Sequence, residues 1–169
     1  MSEAIDPADR AALTKWRDDH KNAYLESGGA RGHVIDLRAM GAYRFSTMLL
    51  LRCTGRKSGR SIITPLHYSN VKGEVVIVGS NGGGPTDPQW YHNIIAGGPV
   101  AFQVGTQAFQ ATWREPATDQ ERDQLWDFMT EMSPHYAMYR RMTTRRIPLV
   151  LLSAGEEIPV FSAADESGA

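Results

Sequence analysis

Residues 48–79 read MLLLRCTGRKSGRSIITPLHYSNVKGEVVIVG, and this stretch decides the fold. Three runs rich in aliphatic and β-branched residues, Met48–Thr54, Ile62–Ser69 and Glu74–Gly79, are separated by turn formers, GRKSGR at 55–60 and NVKG at 70–73. Short apolar runs bounded by Gly, Asn and Ser are strands joined as antiparallel hairpins. Further along, Val100–Val104 and Gln107–Trp113 form another such pair around Gly105-Thr106, and Ile147–Leu152 supplies a sixth strand.

Helices surround these strands. Asp6-Pro7 reads as an N-cap followed by proline in the first helical position, and Leu13, Trp16, His20, Ala23 and Tyr24 then recur at helical spacing until Gly28-Gly29. Between the third and fourth strands, GGGPTDPQWYHN at 82–93 predicts a glycine-rich loop feeding a helix capped by Asp87, started by Pro88 and stopped by Gly97-Gly98. Thr118 and Glu121 have capping-box spacing ahead of an apolar stripe of Leu125, Phe128, Met129 and Met132. Ser133-Pro134 opens a short helix carrying Tyr136, Tyr139 and Met142. Residues 30–46 have no clean period and are expected to be loop or short strand.

Six hairpin-linked strands with one crossover helix predict an α+β fold built on an antiparallel β-barrel, with an N-terminal helix and C-terminal helices. A chain of 169 residues, 41% hydrophobic, supplies one core and hardly two. The expected organisation is an amphipathic helix over 1–29, a barrel over 30–153 and a disordered tail over 154–169.

Composition excludes several classes. A single cysteine, Cys53, leaves no internal disulfide and no cysteine-based zinc cluster, which fits a reducing compartment. No run is long and apolar enough to be a membrane span, and a cytoplasmic protein is expected. The formal charge of −1 hides strong segregation. Residues 37–73 carry Arg38, Arg44, Arg52, Arg56, Lys57, Arg60 and Lys72 without one acid, while 115–131 carry six acids against Arg122 alone. Arg140, Arg141, Arg145 and Arg146 form a second basic knot. Such local fields attract anions whatever the total charge. No nucleic-acid-binding motif accompanies them, so a small polyanion is the better guest. Nucleophile elbows, Walker loops, Rossmann fingerprints and metal-ligand spacings of histidine are all absent, and no metal is expected.

Two loops remain for chemistry. Arg56-Lys57-Ser58-Gly59-Arg60 sits at a hairpin tip, where cations, a hydroxyl and an accessible backbone suit a phosphate; a solvated turn that keeps a sheet edge soluble is the other reading. Ser80-Asn81-Gly82-Gly83-Gly84 can form an amide nest ahead of a helix start, or be a crossover that needs glycine only for its turns.

In order, CTGRKSG (53–59), TPLHY (64–68), VGSNGG (78–83), DPQWYHN (87–93) and RIPLV (146–150) resemble the deazaflavin-dependent nitroreductase family, a branch of the split β-barrel flavin and deazaflavin oxidoreductases. The resemblance spans about residues 48–152. It implies a split barrel of the FMN-binding type, and coenzyme F420, whose phosphodiester and oligoglutamate tail is polyanionic, as cofactor, with FMN the alternative. By position, Arg56, Lys57, Ser58 and Gly59 match the tail grip, with Arg60 standing in for a strand arginine that members commonly carry where this chain has Ile62. Thr64, Pro65 and His67 match the strand beside the deazaflavin, Ser80, Asn81 and Gly82 its second wall, and Trp90 and Asn93 the helix bracing that wall. Tyr136 and Tyr139 match the tyrosines over the substrate pocket. The chain departs from the pattern with Asn81 in place of lysine, Ser133 in place of an aromatic residue and His67 in place of tyrosine. The implied activity is hydride transfer from reduced F420 to an activated alkene, quinone or nitro compound, a small-molecule substrate oriented by Tyr136 or Tyr139. A non-enzymatic barrel holding a lipid or other apolar ligand is the rival reading, motivated by Met132, Met138 and Met142. A homodimer fits the family.

Overall fold

A computed structural model describes residues 7–36, 38 and 45–166. Its strands are β1 (Val34–Ile35), β2 (Ser46–Thr54), β3 (Ser61–Val71), β4 (Glu74–Val78), β5 (Val100–Val104), β6 (Gln107–Arg114) and β7 (Leu149–Ile158). They run in the order β1-β2-β3-β4-β7-β6-β5, every neighbour antiparallel. β5 also pairs with β2, from Leu49 opposite Val104 to Cys53 opposite Val100, so β2 to β7 close into a six-stranded barrel without free edges.

The unbroken Leu49-Leu50-Leu51 run follows from this closure. Successive side chains point to opposite faces of a strand. Leu49, Leu51 and Cys53 join Ile77, Phe102, Val150 and Leu152 in one cluster, to which the crossover helix adds Trp90 and Ile94. Met48 and Leu50 join Tyr24, Leu25, Ile63, Ala101 and Phe161 in another. A strand buried on both faces reads as continuous apolar sequence. A third cluster sets Val76, Val78, Leu149 and Leu151 against Leu125, Trp126, Met129 and Tyr136.

The helices are α1 (Pro7–Glu26), α2 (Gln89–Ile95), α3 (Asp119–Met132) and α4 (His135–Met142). Asp6, the expected cap of α1, lies outside the described residues. On α3 the N-cap forms, Thr118 Oγ1 accepting from the Glu121 N–H at 3.1 Å, while the Glu121 carboxylate reaches one residue past the cap and accepts from the Ala117 N–H at 2.6 Å. On α2 the expected cap does not form. Pro88, in extended backbone, takes the N-cap position, and the Asp87 carboxylate accepts from Arg145 Nη1 at 2.6 Å instead. Of the segment 30–46, Val34 and Ile35 form a short strand on Thr47 and Ser46, while 37 and 39–44 lie outside the described residues.

The expected N-terminal helix forms as α1 and packs on the barrel, with Tyr24 fully buried and its hydroxyl accepting from the Gly105 N–H at 2.7 Å. One expectation needs correction: residues 154–166 are not a disordered tail, since β7 continues to Ile158 along β6 and a 3-10 turn follows at Ala163–Glu166. Phe161 is 1% exposed, its N–H donates to the buried Gln103 Oε1 at 2.7 Å, and Arg52 lies over its ring. Arg52 pairs with Asp165 at 2.8 Å and Lys21 with Glu166 at 2.9 Å, so the last turn straps α1 and β2 together. The polar composition of this segment hid one aromatic anchor.

Replacing Phe161 by Ala is therefore expected to cost about 3–5 kcal/mol, the range for emptying a buried phenylalanine site. Denaturant unfolding followed by tryptophan fluorescence measures it, and an unchanged midpoint would show that the strap contributes nothing.

Candidate active site

The GRKSGR turn folds on itself: the Gly55 N–H donates to the Arg60 carbonyl and the Gly59 N–H to the Gly55 carbonyl, each at 2.8 Å. Gly59 has φ +68°, and a Cβ added there would meet nothing within 4 Å, so the turn needs glycine for its backbone while its surface stays open. Arg56, though exposed, turns toward α2. Its guanidinium donates to Gln89 Oε1 at 2.8 Å and to Asn93 Oδ1 at 3.3 Å, and its N–H reaches the same Asn93 oxygen at 3.2 Å. Asn93 is buried and thereby fixes the tip on the helix. Ser58 Oγ accepts from the Arg60 N–H at 3.3 Å. Lys57, Ser58 and Arg60 are exposed, and neither Lys57 nor Arg60 has a carboxylate partner among the described residues.

The glycine bend differs from a simple anion nest. Asn81, Gly82 and Gly83 take positive φ in succession, +48°, +61° and +76°, in a single 3-10 turn. The N–H groups of Gly83 and Gly84 donate to the carbonyls of Ser80 and Asn81, so part of the nest closes on itself. A Cβ on Gly83 would lie 2.9 Å from Met142 Cβ and 3.1 Å from the Tyr139 carbonyl oxygen, so this glycine lets α4 sit on the bend. A Cβ on Gly82 would meet nothing within 4 Å, and that glycine faces open space. Arg145 holds the bend from behind: Nη2 donates to the carbonyls of Gly79 and Ser80 at 3.0 and 2.5 Å, Nε to Gly84 at 2.9 Å, and Nη1 to Asp87. The sequence places Arg145 in an anion-seeking knot, whereas its donors are engaged by backbone and Asp87. No hydrogen bond joins tip and bend among the described residues; α2 stands between them, and Asn81 Nδ2 turns to the Thr86 carbonyl at 3.0 Å.

β3 carries the third element. Pairing puts Thr64 opposite Leu51, on the inward face, and Pro65 and His67 opposite Leu50 and Met48, on the outward face. The matched trio is thus split by strand alternation. Trp90, 5% exposed within the interior cluster, is likewise packing rather than a ring platform. His67 Nδ1 lies 2.7 Å from Ser46 Oγ. Its ring centroid is 5.6 Å from that of His135, which in turn is 4.5 Å from Tyr136 and 5.3 Å from Tyr139; the two tyrosines, one turn apart on α4, are 6.3 Å apart. Burial raises both phenols well above their ordinary value and lowers His135. His67 is lowered to about 4, by burial first and then by His135 and His20. The cluster is neutral near neutral pH, as suits a site for an uncharged planar ring.

The closed antiparallel barrel thus carries an exposed cationic hairpin tip at one end of a strand and a neutral phenol-imidazole cluster further along. The model of the F420H(2)-dependent quinone reductase family matches residues 16–154, and the chain belongs to that family. It is similar to an F420H(2)-dependent quinone reductase of Mycobacterium tuberculosis (strain ATCC 25618 / H37Rv), 34% identical over 137 residues that span 79% of this chain and 87% of the relative. Among solved structures it resembles an F420-H2 dependent reductase (TM-score 0.56, 34% identity, 63% of this chain and 93% of that one) and a domain-swapped dimer (TM-score 0.59, 29% identity, 83% and 99%).

Sequence reasoning missed Ser46 and His135 and gave Arg145 an anion-binding role where it braces the bend. The first two are brought to His67 by the barrel and α4 from distant positions, so no local motif announces them. The matched region ends before the Phe161 strap.

Gly83→Ala is expected to destabilise the fold by about 1–3 kcal/mol through overpacking against α4 on top of its backbone strain, and Gly82→Ala by roughly 1 kcal/mol from strain alone. Thermal unfolding of the pair separates them, and equal losses would contradict the close approach of α4. His67 binds its proton less tightly folded than unfolded, so the unfolded chain holds more protons between about 4 and 6.5. Stability is then complete above that window and declines as pH falls through it. Denaturant midpoints across the range check this, with His67→Gln flattening the slope.

Proposed function

We propose that this chain transfers hydride from reduced coenzyme F420 to a quinone, with Lys57 and Arg60 gripping the cofactor's anionic tail and the His67, His135, Tyr136 and Tyr139 cluster receiving the acceptor. The observation that carries this reading is the pair of uncompensated cations at the tip of the hairpin whose strand runs on to His67. From Ser61 to His67 is roughly 20 Å at about 3.3 Å per residue, which suits an elongated cofactor with a charged tail and a planar ring. Arg56, Ser58, Gly59, Ser80, Asn81 and Gly82 line the ends of that path, and Thr64, Pro65 and Asn93 set the backbone they stand on.

The fit with F420 is good on the chemistry of the donors. The exposed backbone at Gly59 and Gly82 admits a phosphodiester closely, and Lys57, Arg60 and the Ser58 hydroxyl offer charge-assisted hydrogen bonds. When bound, F420 supplies the hydride; the protein holds the reactants and excludes water. Holding both rings in one geometry converts a bimolecular encounter into a unimolecular step. A polyanionic tail favours F420 over FMN, whose single phosphate would leave the tip half used. The membership of a reductase family also sets aside the non-enzymatic barrel. Among the described residues no helix is long and apolar enough to cross a membrane, and we place the enzyme in the cytoplasm, acting on a small molecule. Exposed Met132, Met138 and Met142 supply apolar surface for a homodimer, an assembly with a counterpart in the similar domain-swapped dimer.

Lys57→Ala with Arg60→Ala is expected to weaken F420 binding at least about tenfold, with a shallower salt dependence, as loss of two screened charges requires. Fluorescence titration measures this. The difference should shrink for a cofactor fragment lacking the glutamate tail, and equal affinity of the double variant for the full cofactor would remove the tip from the site.

A further inference from the structure

The rings of His67, His135, Tyr136 and Tyr139 touch one another, yet the hydrogen bond between His67 Nδ1 and Ser46 Oγ is the one protein partner their polar atoms have among the described residues. Nor are these atoms sealed in: among the described residues the buried side-chain atoms without a partner are His20 Nε2 and Thr130 Oγ1. At His67 Nε2, the His135 nitrogens and the two phenol oxygens, largely buried rings therefore carry polar atoms that no protein group answers and that solvent still reaches. Polar groups so placed are ordinarily paired by protein or water, and a guest with a complementary polar atom can take the water's place. No three potential ligands come together for a metal among the described residues, which leaves an organic guest.

Resting on the quinone reductase reading above, we propose that His67 is the hydrogen-bond donor that meets the carbonyl oxygen of the acceptor, that Ser46 is the positioning residue fixing its tautomer, and that His135 flanks the same oxygen. The Ser46 hydroxyl has no other acceptor among the described residues, so its proton goes to His67 Nδ1. That leaves the hydrogen on Nε2, the nitrogen without a protein partner among the described residues, because the partner of one ring nitrogen sets the state of the other. The titratable groups acting on His67 are His135 from α4 and His20 from α1, with no carboxylate among them. Nothing stabilises a charged imidazolium, so the ring serves as a neutral donor, a role in which an imidazole N–H polarises a carbonyl.

The step balances. With F420 bound, its hydride would form the new bond to a ring carbon conjugated with the carbonyl, the cofactor losing two electrons as the C=O π pair moves onto oxygen; one proton from water would complete that hydroxyl, and transfer of the ring C–H proton to the second oxygen would give the hydroquinone. Negative charge develops on the oxygen that His67 Nε2–H faces, and a donor aimed where charge develops lowers the barrier.

The test uses the full chain labelled with 15N. Near neutral pH the His67 ring is expected as the Nε2–H tautomer, Ser46→Ala to give a tautomer mixture, and a water-soluble naphthoquinone added without cofactor to shift the His67 Nε2 resonance. In turnover, His67→Leu is expected to lower kcat about 100-fold, the loss typical of one oxyanion donor, while F420 affinity changes by less than about threefold; His67→Gln, which keeps an N–H, recovers part. An Nδ1–H tautomer in the wild type, or a quinone that shifts Tyr136 and Tyr139 but not His67, would overturn the assignment. So would His67→Leu turning over quinone at the wild-type rate with F420 bound normally. Failure of the wild type to bind F420 would instead remove the parent reading, and the cofactor-free quinone shift still decides the role of His67.

Discussion

Burial of β2 on both faces is the constraint from which the rest of the architecture follows. One face fills a barrel closed by the pairing of β2 with β5, and the other lies under α1 and Phe161. A strand in that position cannot slip by one residue without exchanging its two faces, and every side chain on it would then meet the wrong neighbours. The register of β2 with β3 is fixed in turn, and with it the distance from the cationic tip to His67.

The two candidate loops lie where this frame is interrupted. The hairpin tip projects past the last pair, Thr54 with Ser61, and is fastened sideways to α2 by Arg56 and Asn93 rather than by the sheet. The bend after β4 breaks the ladder with three residues of positive φ, held by Arg145 behind and α4 above. Arg52, Arg56, Arg114 and Arg145 are tied to carboxylates, amides or carbonyls and organise the protein, whereas Lys57 and Arg60 are exposed and have no carboxylate partner among the described residues.

The acceptor cluster depends on a different kind of juxtaposition. Ser46 opens β2, His67 lies deep in β3, and His135 begins α4, so the pairing of β2 with β3 brings the first two together and the packing of α4 adds the third. Burial keeps these imidazoles neutral, and the same burial keeps the phenols protonated. A neutral, polar, ring-lined cluster is compatible with an uncharged acceptor, and the exposed cations of the hairpin tip lie at the other end of the strand.

Strands, turns and the crossover helix were legible in the chain because each is specified locally: alternating or continuous apolar runs, glycine at the turns, the Thr118–Glu121 capping pair. The cationic hairpin tip was legible for the same reason, since GRKSGR carries its glycines and charges in consecutive residues. What the tertiary structure alone decided were relations between distant residues. Thr64 turned inward while His67 turned outward because pairing with β2 set the face of each; Arg145 became a brace because the bend's carbonyls lie within its reach; Phe161 anchored a polar tail because β7 delivers it to the groove beside α1. Local free-energy preferences along a chain select its elements, but which side chains meet across them depends on register and packing, and those exist only once the barrel has closed.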